Sequence, residues 1–262
     1  MSGLEIANLA FSYHQQPILA GINLTLQEGG VTALLGPNGS GKTTLLKLML
    51  GLLSPSQGTI RLGGEDIRAL GHREVARRMA YVPQVHREAF AYQVEDVVLM
   101  GRMPHASFLT PYSQTDRQLA RESMERLGIA HLARRAYTQI SGGERQLALI
   151  ARAMTQGARI FIMDEPTNGL DYGNQVRLLE RLAALARTGC TFIFSTHHPD
   201  HALTVADRVV MMNQGEIVRD GDLSAVNAES LEEIYGVDVR LFLVSDGVRV
   251  CVPGLRLNAL AS

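Results

Sequence analysis

The octapeptide GPNGSGKT, residues 36 to 43, constrains the fold of this 262-residue chain more than any other stretch. It follows the apolar run VTALL and opens the helical pattern TTLLKLM, which is the context in which G-x-x-x-x-G-K-[ST] forms a phosphate-binding loop. Backbone N–H groups of such a loop ring a phosphate, Lys42 reaches its β and γ oxygens, and Thr43 holds magnesium. The strand and helix around the loop disfavour the alternative of an ordinary glycine turn.

Five short apolar runs stand before turn or motif residues: VTALLG (31 to 36), MAYVPQ (79 to 84), RIFIMDE (159 to 165), CTFIFST (190 to 196) and RVVMMNQG (208 to 215). Continuous runs of this kind are typical of strands buried on both faces, and helical patterns such as NQVRLLERLAALA lie between them. Three segments alternate apolar and polar residues and predict antiparallel strands at the sheet's flank: LEIANLAFSY, ILAGINLTLQEG and GTIRLGGEDI. We therefore predict a layered α/β core with a largely parallel sheet.

The stretch from about Val85 to Gly157 is almost entirely helical in pattern, with HASFLTPYS as its main irregular loop. We predict one domain, in which residues 1–84 and 158–262 form the α/β core and residues 85–157 form an inserted helical lobe. Near the C-terminus, ESLEEIYG predicts one more helix. VRLFLVSDGVRVCV predicts a hairpin that turns at Asp246 and Gly247.

Charge and cysteine content narrow the classes of function. The chain has 25 Lys and Arg residues and 26 Asp and Glu residues, and the two kinds of charge are interspersed along the sequence. No cluster of basic residues suited to binding nucleic acid is evident. Cys190 opens an apolar run, which fits a buried, reduced thiol and a cytoplasmic protein. The N-terminus lacks a signal-peptide pattern, and no apolar stretch approaches the roughly 18 residues of a membrane helix. A function at a membrane therefore requires another chain to span it.

Polar residues follow three of the apolar runs, and the ends of parallel strands meet at one edge of a sheet. Asp164 and Glu165 end RIFIM, where Asp164 suits magnesium and Glu165 suits the attacking water of a phosphate-ester hydrolysis. A helix cap is the alternative role for one of them. His197 ends CTFIFST, from where it is expected to reach a γ-phosphate. Gln84 follows MAYVP and suits the orientation of magnesium or water.

A zinc site is the competing interpretation of His197, His198 and His201, which lie close together in the sequence. Structural and catalytic zinc sites need three or four ligands at characteristic spacings. No cysteine or carboxylate with ligand spacing completes such a site here, so the sequence disfavours zinc.

The octapeptide ISGGERQL, residues 140 to 147, combines a helix start with two adjacent glycines. Ser141 and Glu144 fit the capping box S-x-x-E, with Leu147 and Ile150 following at helical spacing, so a well-made helix start is one interpretation. The other is that bare glycines expose the N–H groups and the positive end of the helix dipole to a phosphate. Taken by itself, the stretch favours the interpretation of a well-made helix start.

Together the motifs resemble those of the nucleotide-binding subunit of an ABC transporter, over nearly the whole chain and in the family's order. They are the adenine-stacking aromatic Tyr13, Walker A (GPNGSGKT), the Q-loop residue Gln84, the signature (ISGGERQL), Walker B (IFIMDE), the D-loop (NGLD) and the switch histidine His197 in STHH. The signature departs from the family at Ile140 and Glu144, where Leu and Gln are usual. The D-loop departs at Asn168, where small residues are common.

The resemblance implies ATP and Mg²⁺ as cofactors and assigns roles to individual residues. The expected ATP-binding residues are Tyr13, Gly36, Pro37, Asn38, Gly39, Ser40, Gly41, Lys42, Thr43 and Thr44. The residues expected at the ATP of the partner subunit are Ser141, Gly142, Gly143 and Glu144, with Asp171 in the D-loop at the dimer interface. The expected catalytic residues are Glu165, His197 and Gln84, and the expected magnesium ligands are Thr43, Gln84 and Asp164.

The resemblance also implies partners: a head-to-tail homodimer, two integral-membrane permease subunits and, indirectly, an extracytoplasmic substrate-binding protein, at the cytoplasmic face of the inner membrane and without nucleic acid. AFAYQVEDVVLMGR and SLEEIYGVDVRLF look like stretches of importers for iron-siderophore, haem, cobalamin or molybdate-type oxyanions. One alternative is a soluble ABC ATPase acting on nucleic acid or ribosomes, which usually carries tandem cassettes, coiled coils or basic insertions. A metabolic P-loop kinase does not explain ISGGERQL.

Overall fold

The computed structural model describes residues 2–84, 91–105, 112–244 and 249–254. The strands are β1 Ser2–Tyr13, β2 Gln16–Gln27, β3 Gly30–Leu35, β4 Gln57–Leu62, β5 Glu65–Asp66, β6 Met79–Val82, β7 Ile160–Met163, β8 Thr191–Thr196, β9 Arg208–Asn213, β10 Glu216–Gly221, β11 Val239–Leu243 and β12 Arg249–Pro253. The α-helices are α1 Lys42–Met49, α2 His72–Arg78, α3 Val94–Leu99, α4 Gln114–Arg126, α5 Gly142–Thr155, α6 Tyr172–Ala186, α7 Pro199–Val205 and α8 Ala228–Tyr235. Across these ranges no helix is both long and apolar enough to span a membrane.

The larger sheet has six strands in the order β10-β9-β3-β8-β7-β6. The five strands from β9 to β6 run parallel, and β10 pairs antiparallel with β9. These five are the continuous apolar runs of the sequence, and every residue of β7 and β8 is buried. The prediction of a largely parallel sheet is therefore confirmed, because strands covered on both faces need no polar face.

The three alternating segments form β1, β2 and β4, which join β5 in a separate antiparallel sheet of order β2-β1-β4-β5. The sequence predicted antiparallel strands at the flank of the parallel sheet, whereas here they make a second layer. The alternation gives that layer one apolar face. Ile6 and Leu24 on this face share a buried cluster with Leu45 and Leu48 of α1 and with Ile193 of β8. Helix α1 is thus held between two sheets.

Helices α3, α4 and α5 follow one another between β6 and β7, in the stretch with a helical sequence pattern. Val97, Leu149 and Ile150 from these helices belong to the same buried cluster as Phe161 and Phe194 of the large sheet. Part of the predicted irregular loop HASFLTPYS, residues 106 to 111, lies outside the described residues. The division of the chain into a core and a lobe at residues 85 and 157 stays a prediction.

The C-terminal part contains the predicted helix α8 and a pair of antiparallel strands, β11 and β12. Asn227 and Ser230 form a capping box at the start of α8, and the helix ends before Gly236, whose φ of 67° is left-handed. Leu231 and Ile234 anchor the helix in the main core. The predicted turn at 246–247 lies outside the described residues.

Candidate functional site

A cleft of about 470 Å³ opens at the carboxyl edge of the large sheet. Its size lies within the range of roughly 300 to 1,000 Å³ that is typical of small-molecule sites. Its lining combines the phosphate loop and the first turn of α1 with polar residues that follow strands β6, β7 and β8; among them are Asn38, Gly39, Gly41, Lys42, Thr43, Thr44, Gln84, Glu165 and His197. The fold thus brings Asn38 and His197, which are 159 positions apart, to one cleft, because parallel strands end at one edge.

The phosphate loop turns into α1 at Gly41. This residue has a left-handed φ of 99°, and a Cβ there would lie 2.6 Å from Leu19 Cδ2. Lys42 is buried, and its Nζ donates to the carbonyls of Gly36 and Pro37 at 2.8 Å each. Burial lowers the pKa of Lys42, while the nearby Glu165 and Asp164 act to raise it. The loop therefore places one cation at the beginning of a helix, an arrangement suited to phosphate.

Asp164 follows β7 and is buried with two hydroxyl partners. Thr43 Oγ1 donates to Asp164 Oδ1 at 3.0 Å, and Ser195 Oγ donates to the same oxygen at 2.7 Å. Hydroxyl and carboxylate oxygens are the ligand types that Mg²⁺ prefers. Ser40 Oγ in the phosphate loop is also buried and has no hydrogen-bond partner in the described part of the chain. These donors and acceptors fit a magnesium-bound polyphosphate.

Glu165 is the next residue and has a left-handed φ of 44°. Such a conformation costs a non-glycine residue on the order of 1 to 2 kcal/mol, and it concentrates at functional sites. The Glu165 N–H donates to Ser195 Oγ at 2.9 Å, which fixes the backbone. The carboxylate is held from two sides, by Gln84 Nε2 at 2.9 Å from Oε2 and by His197 Nδ1 at 3.0 Å from Oε1. Two of the predicted catalytic residues, Gln84 and His197, therefore contact the third, Glu165, beside the cleft.

The alternative role of Asp164 or Glu165 as a helix cap does not apply, since α6 begins after Asp171. Asp171 Oδ1 accepts from the N–H of Asn174 at 2.8 Å, and Asn174 Nδ2 donates to Asp171 Oδ2 at 2.7 Å. The predicted D-loop aspartate thus shapes its own loop by capping the following helix.

His201 has surroundings that differ from those of His197. Nδ1 of His201 lies 3.2 Å from Thr196 Oγ1, and Nε2 lies 3.3 Å from Gln175 Oε1. Burial and the neighbouring His198 lower the pKa of His201 to about 4, so it is neutral at pH 7. In the described residues no group of three or more His, Cys, Asp or Glu is arranged to hold a metal ion.

Ser141 and Glu144 form the predicted capping box at the start of α5. Glu144 Oε2 accepts from the backbone N–H of Ser141 at 2.7 Å and from Ser141 Oγ at 2.8 Å. These bonds lower the pKa of Glu144 and direct its charge toward the helix start. Neither residue, nor Gly142 or Gly143, is among those that line the cleft. The signature stretch therefore lies outside the chain's own cleft.

The two glycines of the signature differ in their surroundings. A Cβ at Gly143 would lie 3.2 Å from the side chain of Asn174, while a Cβ at Gly142 would have ordinary contact, 3.6 Å, with the Gly169 carbonyl. Gly143 is thus constrained by the D-loop region of its own chain. No local sequence pattern indicates this contact, because it depends on how α5 and α6 are placed.

Tyr13 is 42 % exposed and packs edge-on against Phe11 with ring centroids 4.8 Å apart. It is not among the cleft-lining residues, whereas Ile18 from β2 is. Sequence reasoning missed Ile18, since an apolar residue in a strand carries no distinguishing signal. It also missed Ser195, whose only signal is a hydroxyl inside the apolar run CTFIFST.

Comparison with known proteins identifies the family. The ABC transporter family model matches residues 19–168. The molybdate import ATP-binding protein MolC of Haemophilus influenzae is 36 % identical over 234 residues, which cover 88 % of this chain and 87 % of that protein. The ferric enterobactin transport ATP-binding protein FepC of Escherichia coli K12 is 34 % identical over 242 residues, covering 92 % of this chain and 89 % of that protein. A solved structure described as that of an inward-facing ABC transporter of metal-chelate type is 32 % identical, with a TM-score of 0.85 and coverage of 96 % and 97 %.

The family match spans more than half of the chain, and it includes the phosphate loop, the signature and the Asp164–Glu165 pair. The related proteins belong to import systems, so the alternative of a nucleic-acid or ribosome ATPase is not favoured. The chain belongs to the ABC transporter family of ATP-binding proteins, whose domain binds ATP and whose members in transporters are ATPases coupled to transport.

Proposed function

We propose that this chain hydrolyses ATP as a homodimer beneath two permease subunits and drives import of a metal chelate or a molybdate-type oxyanion. The substrate class is supported by the likeness to MolC, FepC and the metal-chelate type transporter. The proposed location is the cytoplasmic face of the inner membrane, with an extracytoplasmic binding protein that delivers the cargo. The observation that carries the proposal is the Glu165 carboxylate, held between Gln84 and His197 beside the phosphate loop.

In the proposed reaction, water attacks the γ-phosphorus of ATP and the bond to the β–γ bridging oxygen breaks, giving ADP and phosphate. Glu165 orients the water and accepts its proton at a carboxylate oxygen. His197 and Gln84 hold that carboxylate in place, and both line the cleft. Lys42 leaves its two loop carbonyls to contact the β and γ oxygens.

Magnesium fits the hydroxyl of Thr43, the carboxylate of Asp164 and the amide oxygen of Gln84. When bound, it neutralises charge on the β and γ phosphates. Ser195 supports this set, because its hydroxyl donates to Asp164 Oδ1 and leaves Asp164 in a fixed orientation. We expect ATP hydrolysis to stop when EDTA removes Mg²⁺ and to resume when Mg²⁺ is added back.

The position of the signature supports the proposed homodimer. Ser141 to Glu144 lie outside the chain's own cleft, yet they begin a 14-residue helix whose N-terminus suits a phosphate. In a head-to-tail pair, Ser141 and the two glycines contact the ATP held by the partner's phosphate loop, and Asp171 lies at the interface. The capping box turns the unusual Glu144 back onto Ser141, so its charge does not point forward into that site.

The permease is proposed to dock on a second, apolar groove of about 680 Å³, here called the lateral groove. It lies between α2, β6 and the 100–104 turn, and its lining includes Leu52, Met100 and Met103. Leu52 and Met103 are 56 % and 62 % exposed and line the same groove, and exposed apolar residues gathered in one patch are typical of interaction sites. Met100 comes from AFAYQVEDVVLMGR, whose first two residues lie outside the described ranges; Tyr92 is exposed but does not line the groove.

The catalytic part of the proposal is tested by Glu165→Gln, which keeps the shape of the side chain and removes the base. We expect ATP binding to remain, turnover to fall by about a hundredfold or more, and a nucleotide-bound dimer to accumulate in size-exclusion chromatography with ATP and Mg²⁺. Glu125→Gln, on an exposed face of α4, is the matched control and should behave as wild type. A Glu165→Gln protein that keeps more than about a tenth of the activity refutes the role.

The cargo is tested by uptake in cells that lack this chain. Wild type should restore uptake of radiolabelled iron chelate or of molybdate, and Glu165→Gln should restore neither. Restored uptake of one label identifies the cargo class. Failure of wild type with both labels, in cells that express the cognate permease, contradicts the proposed substrate class and leaves the ATPase test unaffected.

A further inference from the structure

Helix α8 reaches the loop of the switch histidine through its last residue. Tyr235 Oη donates to the backbone carbonyl of His197 at 2.9 Å, although the two residues are 38 positions apart. Leu231 and Ile234 of the same helix are buried in the main core, and the helix ends here because Gly236 is left-handed. The hydroxyl is therefore presented by a fixed helix end. Burial raises the pKa of Tyr235, so the hydroxyl stays protonated and able to donate.

A second contact joins the C-terminal strands to the other end of the same loop. The backbone N–H of Cys251 in β12 donates to Asp200 Oδ1 at 2.9 Å, and Asp200 lies in the first turn of α7. The short loop from His197 to Asp200 is thus held at both ends by α8 and β12. On its inner side, His197 faces Glu165.

We infer that Tyr235 is a positioning residue for ATP hydrolysis: by fixing the peptide that follows His197, it holds the imidazole Nδ1 against Glu165 Oε1. The inference rests on the proposed function, in which His197 and Glu165 act at the γ-phosphate. Tyr235 does not line the cleft, so its effect passes through His197. A small displacement of a group that aligns a reacting water lowers the rate of the chemical step without weakening nucleotide binding.

The test is Tyr235→Phe, which removes the hydroxyl and keeps the ring that packs against the core. We expect kcat to fall by roughly three- to tenfold, as for loss of one orienting hydrogen bond, with KM for ATP unchanged within about twofold. Tyr112→Phe, in the polypeptide before α4, is the matched control and should leave both constants unchanged. Both proteins are assayed well below their melting midpoints, so a loss of folded protein does not enter kcat.

The same substitution is then made in a His197→Ala protein, whose residual hydrolysis is followed with radiolabelled ATP. If Tyr235 acts through His197, Tyr235→Phe has no further effect in this background. Two outcomes overturn the inference and leave the proposed function intact. One is an equal fall of kcat in both backgrounds. The other is a Tyr235→Phe protein that matches the Tyr112→Phe control while His197→Ala is impaired. A His197→Ala protein with wild-type turnover overturns the catalytic role in the proposed function and the inference with it.

Discussion

The side-chain amide of Gln84 donates a hydrogen bond of 2.9 Å to Oε2 of Glu165, although 81 positions separate the two residues in the chain. Gln84 follows β6, at the point where the chain leaves the large sheet for the helices that precede the signature. Glu165 follows β7, the neighbouring parallel strand. If the segment after β6 moves, the hydrogen bond from Gln84 to the Glu165 carboxylate changes. This bond therefore links the position of that segment to the cleft.

Gln84→Glu should lower hydrolysis more than Gln84→Ala does. The alanine variant only loses a hydrogen bond, whereas the glutamate variant places a second carboxylate within about 3 Å of Glu165 and the two charges repel. Steady-state kcat of the two variants decides it. Equal kcat values, or a slower Gln84→Ala protein, would show that charge repulsion at this bond is not the cause.

The two signature glycines should respond differently to alanine. In the monomer, Gly142→Ala meets ordinary space and gains helix propensity, worth up to about 0.5–1 kcal/mol of unfolding free energy. Gly143→Ala gains the same propensity but must push Asn174, whose amide is bonded to Asp171. We therefore expect the Gly142→Ala protein to melt about 2–4 °C above the Gly143→Ala protein in the absence of nucleotide. Equal or reversed midpoints contradict the assigned contact.

Sequence patterns were sufficient to predict the parallel sheet and most of the residues of the cleft, because each of these depends on a local signal. The runs that became β3, β6, β7, β8 and β9 are apolar throughout, and the phosphate loop has fixed spacing. Once parallel strands are assigned, their carboxyl ends must meet, so Gln84, Glu165 and His197 are brought together by topology alone.

The remaining features depend on packing between distant segments and have no local signal. The antiparallel strands form their own layer because an apolar face needs a partner, and the alternation of β1 does not say which partner. Gly143 against Asn174 and Tyr235 against the His197 carbonyl depend on the placement of whole helices. Tyr13 has a motif-like position, but whether it contacts adenine depends on the nucleotide-bound state and stays a prediction.

His201→Gln should change how stability depends on pH. The folded-state pKa of His201, about 4, lies below its ordinary value of 6.5, so the unfolded chain takes up the proton first as the pH falls. The stabilisation from neutral His201 is therefore complete above pH 6.5 and is lost progressively toward pH 4. The titratable neighbours Asp200, His198 and His197 remain in both proteins, so their effects largely cancel in the comparison.

The measurement for His201 is the difference in melting midpoint between wild type and His201→Gln at several pH values. It should be largest at pH 7.5 and shrink by about 2–4 °C on going to pH 5. A difference that stays constant over this range would mean that His201 does not titrate in the expected window.

Met103→Glu should weaken binding of the permease without harming the isolated subunit. The charge is placed in the lateral groove, where an apolar permease segment is proposed to dock, and Met103 is exposed enough to accept it. Leu243→Glu, at a residue 71 % exposed on β11, is the matched control for a charge on an exposed apolar position. Co-purification with the permease should fall about tenfold or more for Met103→Glu only, while ATPase activity of the free subunit is unchanged for both. Loss of activity together with co-purification would indicate misfolding, and equal co-purification would exclude the groove.

The head-to-tail arrangement is tested by two variants with opposite expected defects. Ser141→Arg puts a bulky cation at the start of α5, so it should block closure on the partner's ATP while each monomer still binds ATP through its own phosphate loop. Lys42→Ala removes the buried cation of that loop and should weaken the chain's own binding directly, by about tenfold or more. Each homodimer should hydrolyse ATP at a small fraction of the wild-type rate.

Mixing the two variants separates the possible arrangements. If Ser141 of one chain faces Lys42 of the other, the heterodimer carries both lesions in one site and none in the second, so part of the hydrolysis returns and nucleotide is trapped at one site per dimer. If the signature serves the nucleotide of its own chain, each site carries one lesion and mixing restores nothing. The monomer gives an independent check, since Ser141 does not line its own cleft. A Ser141→Arg monomer that loses ATP affinity as severely as Lys42→Ala would therefore place the signature at its own nucleotide and contradict the head-to-tail proposal.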